Sequence, residues 1–240
     1  MNIKITLSYD GSLYYGSQIQ PDFITIHSKL LEVLNTININ TTLNFSGRTD
    51  KGVHAFKQVV SCKIPSYWSD LKKLQIVLNK QLSNSIQIRN IQNVENTFHA
   101  RFSAKKREYR YLLTDKKLSV FNSNYMSYYS QINEKKINSA LKILQGKHDF
   151  EFFSKKGSDP HSTVREIYNI TLYKYKDIYV LKFTANSYLR SQIRMIVDFI
   201  MKISSGKLNL SDLEKQLSKK ELISWTLAPS NGLYLSKIHY

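Results

Sequence analysis

Apolar and polar positions alternate from the start of the chain. Ile3, Ile5 and Leu7 fall on one side of residues 2–8, with Lys4 and Thr6 on the other, as in a half-buried strand. The period then changes. In residues 25–37, Ile26, Leu30, Val33, Leu34 and Ile37 recur at the spacing of one helical face. Strand-like segments follow at 43–46 and 58–64, and a helix is expected over 69–82, opened by Ser69 and Asp70. Another strand covers about 85–94. The order β-α-β-β-α-β is that of the split βαβ, ferredoxin-like unit.

The second half repeats the alternation of element types. Residues 103–114 read as a long strand of basic and aromatic residues, and 134–145 as a helix with Ile137, Ala140, Leu141 and Leu144 on one side, ended by Gly146. Strands near 164–174 and 178–186 flank a turn at Lys176-Asp177. Helices at 189–204 and 211–218 precede a final strand at 232–239. The strands alternate, whereas the strands of an all-parallel sheet read as continuous apolar runs. The expected fold class is therefore α+β, with two ferredoxin-like or RRM-like subdomains of mixed, largely antiparallel sheet. Their expected extents are residues 1–102 and 103–240.

Composition adds a partner class. The 240 residues carry 35 Lys+Arg against 18 Asp+Glu, a net charge of +17, yet 42% are hydrophobic, so the chain is a folded body and not a disordered polycation. Such a charge favours a polyanion, nucleic acid first, because each neutralised phosphate releases counterions. Sixteen tyrosines and eleven phenylalanines interleaved with the basic residues suit stacked or splayed bases. A single cysteine, Cys62, excludes an intrachain disulfide and any Cys-rich metal site. No apolar stretch approaches the ~20 residues needed to cross a bilayer. The first residues lack the apolar block of a signal peptide, so a cytoplasmic protein without membrane attachment is expected.

The segment most suggestive of chemistry is Phe45-Ser46-Gly47-Arg48-Thr49-Asp50-Lys51-Gly52-Val53-His54-Ala55. Its glycines flank Arg-Thr-Asp and allow a tight loop that presents side chains. By itself the segment also fits a turn with a capping aspartate. It lacks the spacing of a phosphate-binding P-loop.

Gly47 to Ala55 resembles the active-site motif of the TruA family of tRNA pseudouridine synthases, and the resemblance continues in order along the chain. Tyr9-Asp10-Gly11-Ser12, with Tyr15-Gly16 and Gln18, is similar to the family's opening strand and turn. Phe98-His99-Ala100-Arg101-Phe102-Ser103-Ala104 leads to Arg107-Glu108-Tyr109-Arg110-Tyr111, as at its domain junction. Leu144 to Phe150 and Thr163 to Ile167 resemble a helix end and a later strand. Leu189 to Val197 resembles the helix carrying an active-site arginine, and Ala228 to Leu235 the closing segment.

The resemblance implies a pseudouridine synthase fold with the active site in a cleft between the halves. It implies Asp50 as the catalytic nucleophile, a role open to an ionised carboxylate. Arg194 would grip that carboxylate bidentately. Tyr109 would lie against the flipped uracil, sharing a strand face with Arg107 and Tyr111 as a basic–aromatic platform. Arg48 would fill the gap left by the extruded nucleotide. Leu233 would wall the base, His54 would hold the loop, and Cys62 would be a buried spectator. The implied substrate is tRNA, at uridines 38, 39 and 40 of the anticodon arm. The implied assembly is a homodimer, and neither metal nor cofactor is called for. Ser17, where the family usually has Trp, Asn186 to Tyr188 before the arginine helix, and Asp198 in place of a small glycine depart from the pattern. The rival reading is a non-catalytic RNA-binding protein or RNA chaperone on the same fold. A methyltransferase lacks support from any Gly-rich nucleotide loop, and a zinc deaminase from any cysteine cluster.

Overall fold

The computed structural model describes residues 1–157 and 161–240. The chain forms two compact units, Met1–Lys105 with Tyr234–Tyr240, and Lys106–Leu233.

The first unit contains β1 (Asn2–Tyr9), α1 (Ile26–Thr36), β2 (Asn44–Phe45), β3 (His54–Lys63), α2 (Leu71–Gln81) and β4 (Ile86–Asn93). Helix α1 starts where Thr25 and Ser28 exchange side-chain and backbone hydrogen bonds, each 3.0 Å, in a capping box. It buries Ile26, Leu30, Val33 and Leu34. Asp70 caps α2 by accepting the Lys73 N–H at 2.9 Å. Strand β1 pairs antiparallel with β3 on one side and β4 on the other, and β2 pairs antiparallel with β3. Thus β1 and β2 run the same way with β3 between them, which is the split βαβ arrangement.

Strand β3 begins at His54, ahead of the expected 58. Its register against β1 slips between Leu7 and Tyr9, so His54 and Ala55 are buried together while Phe56 and Lys57 are exposed together. The slip removes the alternation that would have announced the strand. Its first residues are recruited by the last strand of the chain, β10 (Leu233–His239), whose Tyr234 and Leu235 lie parallel beside His54 and Ala55. The closing residues therefore belong to the unit that opens the chain.

The second unit contains β5 (Lys106–Thr114), β6 (Ser127–Tyr128), α3 (Glu134–Leu144), β7 (Gly146–Asp149), β8 (Val164–Tyr175), β9 (Ile178–Ala185), α4 (Gln192–Ser204) and α5 (Leu210–Leu217). Its sheet runs β5-β9-β8-β7, antiparallel throughout, with β6 parallel to β5. Here β9 separates β5 from β8, so the split βαβ arrangement recurs. Helix α3 buries Ile137, Ala140, Leu141 and Leu144 against this unit.

Helix α4 starts at Gln192 and not at 189, because Ser191 takes a left-handed φ of 59° and the Gln192 side chain accepts the Leu189 N–H at 2.7 Å. Strands β6 and β7 are too short for alternation to reveal them. Among the described residues no helix is long and apolar enough to cross a membrane.

Candidate active site

The loop between β2 and β3 carries Arg48 and Asp50, and it is fixed from two sides. On one side Gln58, fully buried, donates to the Gly47 carbonyl at 2.9 Å and accepts the Ser46 hydroxyl at 2.6 Å. The Tyr9 phenol bonds the Thr49 hydroxyl at 2.8 Å. Burial pushes that phenol up to about 12, against the opposing pull of its bonds to Thr49 and Gln58, so it stays protonated. On the other side the Ser17 hydroxyl accepts the Thr49 N–H at 2.8 Å, and the Ser17 N–H donates to the Thr49 carbonyl at 3.1 Å. A tryptophan at this position would have no acceptor for the Thr49 N–H. The departure at Ser17 is thus part of how this loop is held.

Asp50 follows Thr49 directly and is half-buried, and its backbone carbonyl accepts the Val53 N–H at 3.1 Å. Two glycines let the preceding segment approach this loop. A Cβ on Gly11 would lie 2.0 Å from the Val53 carbonyl oxygen, and one on Gly16, whose φ is +92°, would lie 2.6 Å from that of Thr49. His54 closes the loop from beneath. It is buried, stacks on Tyr234 at 4.6 Å, and takes the Gly11 N–H on Nδ1 at 3.1 Å. Asp10 Oδ1 approaches the same nitrogen at 3.2 Å. The same Asp10 oxygen accepts the Ser12 N–H at 2.9 Å and the Ser12 hydroxyl at 2.7 Å.

Arg48 is exposed, and the Lys51 ammonium sits 3.8 Å from the centre of the Tyr15 ring. Cys62 is buried in β3, and burial pushes its thiol up to about 12, which leaves it unreactive at neutral pH.

In the second unit Tyr109 lies on β5 opposite Phe183, and its ring meets the edge of Tyr188 at 5.2 Å and 85°. Arg107 donates to the Asn186 carbonyl at 2.8 Å. Tyr111, expected beside them as a third platform residue, is instead fully buried. Its hydroxyl bonds Ser127 at 2.8 Å and donates to the Pro229 carbonyl at 2.9 Å, and burial raises the phenol to about 12. Tyr111 is a core residue, and Tyr109 is itself buried at 7% exposure, so of the three expected platform residues only Arg107 is half-exposed.

Arg194 lies on α4. Its Nε donates to the Ala228 carbonyl at 2.8 Å while the Ala228 N–H donates to the Arg194 carbonyl at 3.0 Å. This reciprocal pair orients the guanidinium from the closing segment. Asp198, one turn further, pairs with Lys202 at 2.8 Å and accepts the Thr226 hydroxyl at 2.5 Å, so α4 tolerates a charge where a glycine is usual. Leu233 is buried and follows the 3-10 turn Ser230–Gly232.

Sequence reasoning did not reach Ser17 and Gln58 as supports of the loop, or Tyr188 as the ring beside Tyr109. Their roles depend on partners 32, 11 or 79 positions away, which no local pattern encodes. No group of three or more His, Cys, Asp or Glu side chains that could hold a metal occurs among the described residues.

The sequence as a whole matches one class of protein. A family model described as tRNA pseudouridine synthase matches residues 140–240. Over its full length the chain is 40% identical to tRNA pseudouridine synthase A of Campylobacter jejuni (strain 81116), covering 100% of both chains. It is 40% identical to that of Wolinella succinogenes over 98% of this chain and 92% of the relative. It is 34% identical to that of Helicobacter pylori over 99% of this chain and 98% of the relative. The chain belongs to the tRNA pseudouridine synthase A (TruA) family.

Proposed function

We propose that this protein isomerises uridine to pseudouridine in tRNA, with Asp50 as the nucleophile. The observation that carries the reading is the full-length similarity to relatives of that name, together with a loop that grips Thr49 on both sides and presents the next residue, Asp50. In the reaction the N1–C1′ bond breaks, the uracil turns, and C5 bonds to C1′. The C5 hydrogen leaves as a proton and N1 gains one, so no redox partner is required. Attack by Asp50 at C6 of the base or at C1′ of the ribose satisfies the same balance.

The remaining roles follow from chemistry. Arg194, oriented by the Nε bond to Ala228, would meet the Asp50 carboxylate with its planar guanidinium. Tyr109, largely buried with its ring edge to face with Tyr188, is the aromatic residue that would meet the turned uracil. Arg48, exposed on the loop, occupies the gap in the stem when the nucleotide swings out, and Leu233 lines the base. The target positions are uridines 38, 39 and 40 of the anticodon arm. The working form is a cytoplasmic homodimer that uses no cofactor.

The test is tritium release from tRNA labelled at uridine C5, comparing the wild type with Asp50→Asn. Release by the wild type alone, with tRNA affinity of the variant within a few-fold, is the expected result. Tight binding of tRNA by both proteins without release would move the assignment to a non-catalytic RNA-binding protein.

A further inference from the structure

The turn after the opening strand carries a group of exposed apolar side chains that the reaction does not use. Leu13, Tyr15, Ile19, Phe23 and Ile24 keep between 37% and 66% of their surface in solvent. They are not loosely arranged. Phe23 stacks on Tyr15 with centroids 4.2 Å apart and planes 16° from parallel, while Lys51 Nζ lies 3.8 Å from the Tyr15 centroid. The turn that brings Phe23 back is pinned by three contacts. Tyr15 N–H donates to the Ile24 carbonyl at 3.0 Å, Gln20 Nε2 donates to the Tyr15 carbonyl at 2.6 Å, and Gln20 and Phe23 form an antiparallel bridge. The column Lys51–Tyr15–Phe23 therefore starts one residue from Asp50 and ends on an exposed aromatic ring.

We propose that Phe23 is a stacking platform for a nucleobase of the RNA strand flanking the uridine at Asp50, with Lys51 facing that strand's phosphates. The inference rests on the proposed function, because it takes its ligand from the same substrate. Exposing two stacked rings to water is unfavourable, and a π-face offered to a base removes that surface whatever the base identity. Tyr15 is occupied by Lys51 and Phe23, which leaves Phe23, 45% exposed, as the ring available for stacking. Charge complementarity favours RNA over an apolar protein segment: the column begins at an ammonium, Arg48 is exposed in the same loop, and the chain carries +17. Asp22, the acid of this turn, sits next to Phe23 and is exposed, so it remains solvated beside the platform.

The full chain is tested for binding to unmodified tRNA at fixed salt, with Phe23→Ala, Phe23→Leu and Phe23→Trp compared. Phe23→Ala is expected to weaken binding about ten-fold, the effect of losing one stacked base. Phe23→Leu keeps apolar area without a π-face and should be equally weak, whereas Phe23→Trp should bind as the wild type does. Lys51→Gln should lower the salt dependence by about one counterion. Binding by Phe23→Ala within about two-fold of wild type would overturn the proposal. So would Phe23→Leu binding as well as the wild type, since that marks plain apolar packing. A shift of RNA-free Phe23→Ala to a smaller species in sedimentation would also overturn it, in favour of contact with a second copy. A wild type that binds tRNA through Phe23 yet releases no tritium from C5 would defeat the proposed function and leave the platform standing.

Discussion

The two units use the same split βαβ arrangement and spend their hairpin connections differently. In the first, β2 and β3 are joined by residues 46–53, the loop that carries Arg48 and Asp50. In the second, the corresponding pair β8 and β9 is joined by Lys176-Asp177 alone, with Lys176 at a φ of 54°. The long connection is costly to order and is held by Gln58, Tyr9 and Ser17, while the short one needs only a left-handed residue. The second unit places its candidate residues on rigid elements instead, Tyr109 on a strand and Arg194 on a helix. A fold repeated in outline thus carries its candidate residues on a held loop in one unit and on regular elements in the other.

Substitutions in each half can break this comparison. The largest effect is expected from Gly11→Ala, because a Cβ 2.0 Å from the Val53 carbonyl must displace the loop. Turnover measured by tritium release should fall by more than about a hundred-fold, the usual consequence of misplacing a reacting group. Normal turnover would show that the loop is not positioned from this side.

Arg194→Lys comes next. It keeps the charge and loses the planar fork and the Nε bond to Ala228, so turnover should drop about ten- to a hundred-fold with tRNA affinity nearly unchanged. Equal losses in both would make Arg194 a general RNA contact.

Tyr188→Phe addresses stability in the second unit. The Tyr188 hydroxyl is buried with no hydrogen-bond partner among the described residues, and burial raises its pKa well above the ordinary value, so it remains neutral. Removing it while keeping the ring edge against Tyr109 should stabilise the protein by about 1 kcal/mol or more. In thermal unfolding this corresponds to a midpoint higher by about 2–4 °C. A lower midpoint would mean that the hydroxyl has a stabilising partner.

The smallest effect is expected from Lys176→Gly. It relieves a left-handed side chain and adds unfolded-state freedom, so stability should change by less than about 1 kcal/mol and turnover not at all. Loss of turnover would show that the short connection also serves the reaction.

Much of this was legible in the chain, and unevenly so. Helices α1, α2 and α3 begin at the capping residues Thr25, Asp70 and Asn133 and bury the apolar positions their period marks, because capping and amphipathicity are local. The loop motif was equally legible. The start of β3 was hidden by the register slip opposite Leu7 and Tyr9, and the start of α4 by the left-handed Ser191. Tyr111 shows the limit of strand periodicity. It shares a buried face with Tyr109, and Ser127 and the Pro229 carbonyl, brought in from distant segments, bond its hydroxyl there.

By itself the sequence determined the split βαβ order, the basic and aromatic character, and the residue types available for chemistry, since these depend on composition and on spacings of a few residues. Tertiary structure alone decided that Ser17 and Gln58 hold the loop, that Tyr188 meets Tyr109 edge to face, and that Phe23 stacks on Tyr15. Each is a contact between separately folding segments, and its energy exists only once packing has brought both partners out of water.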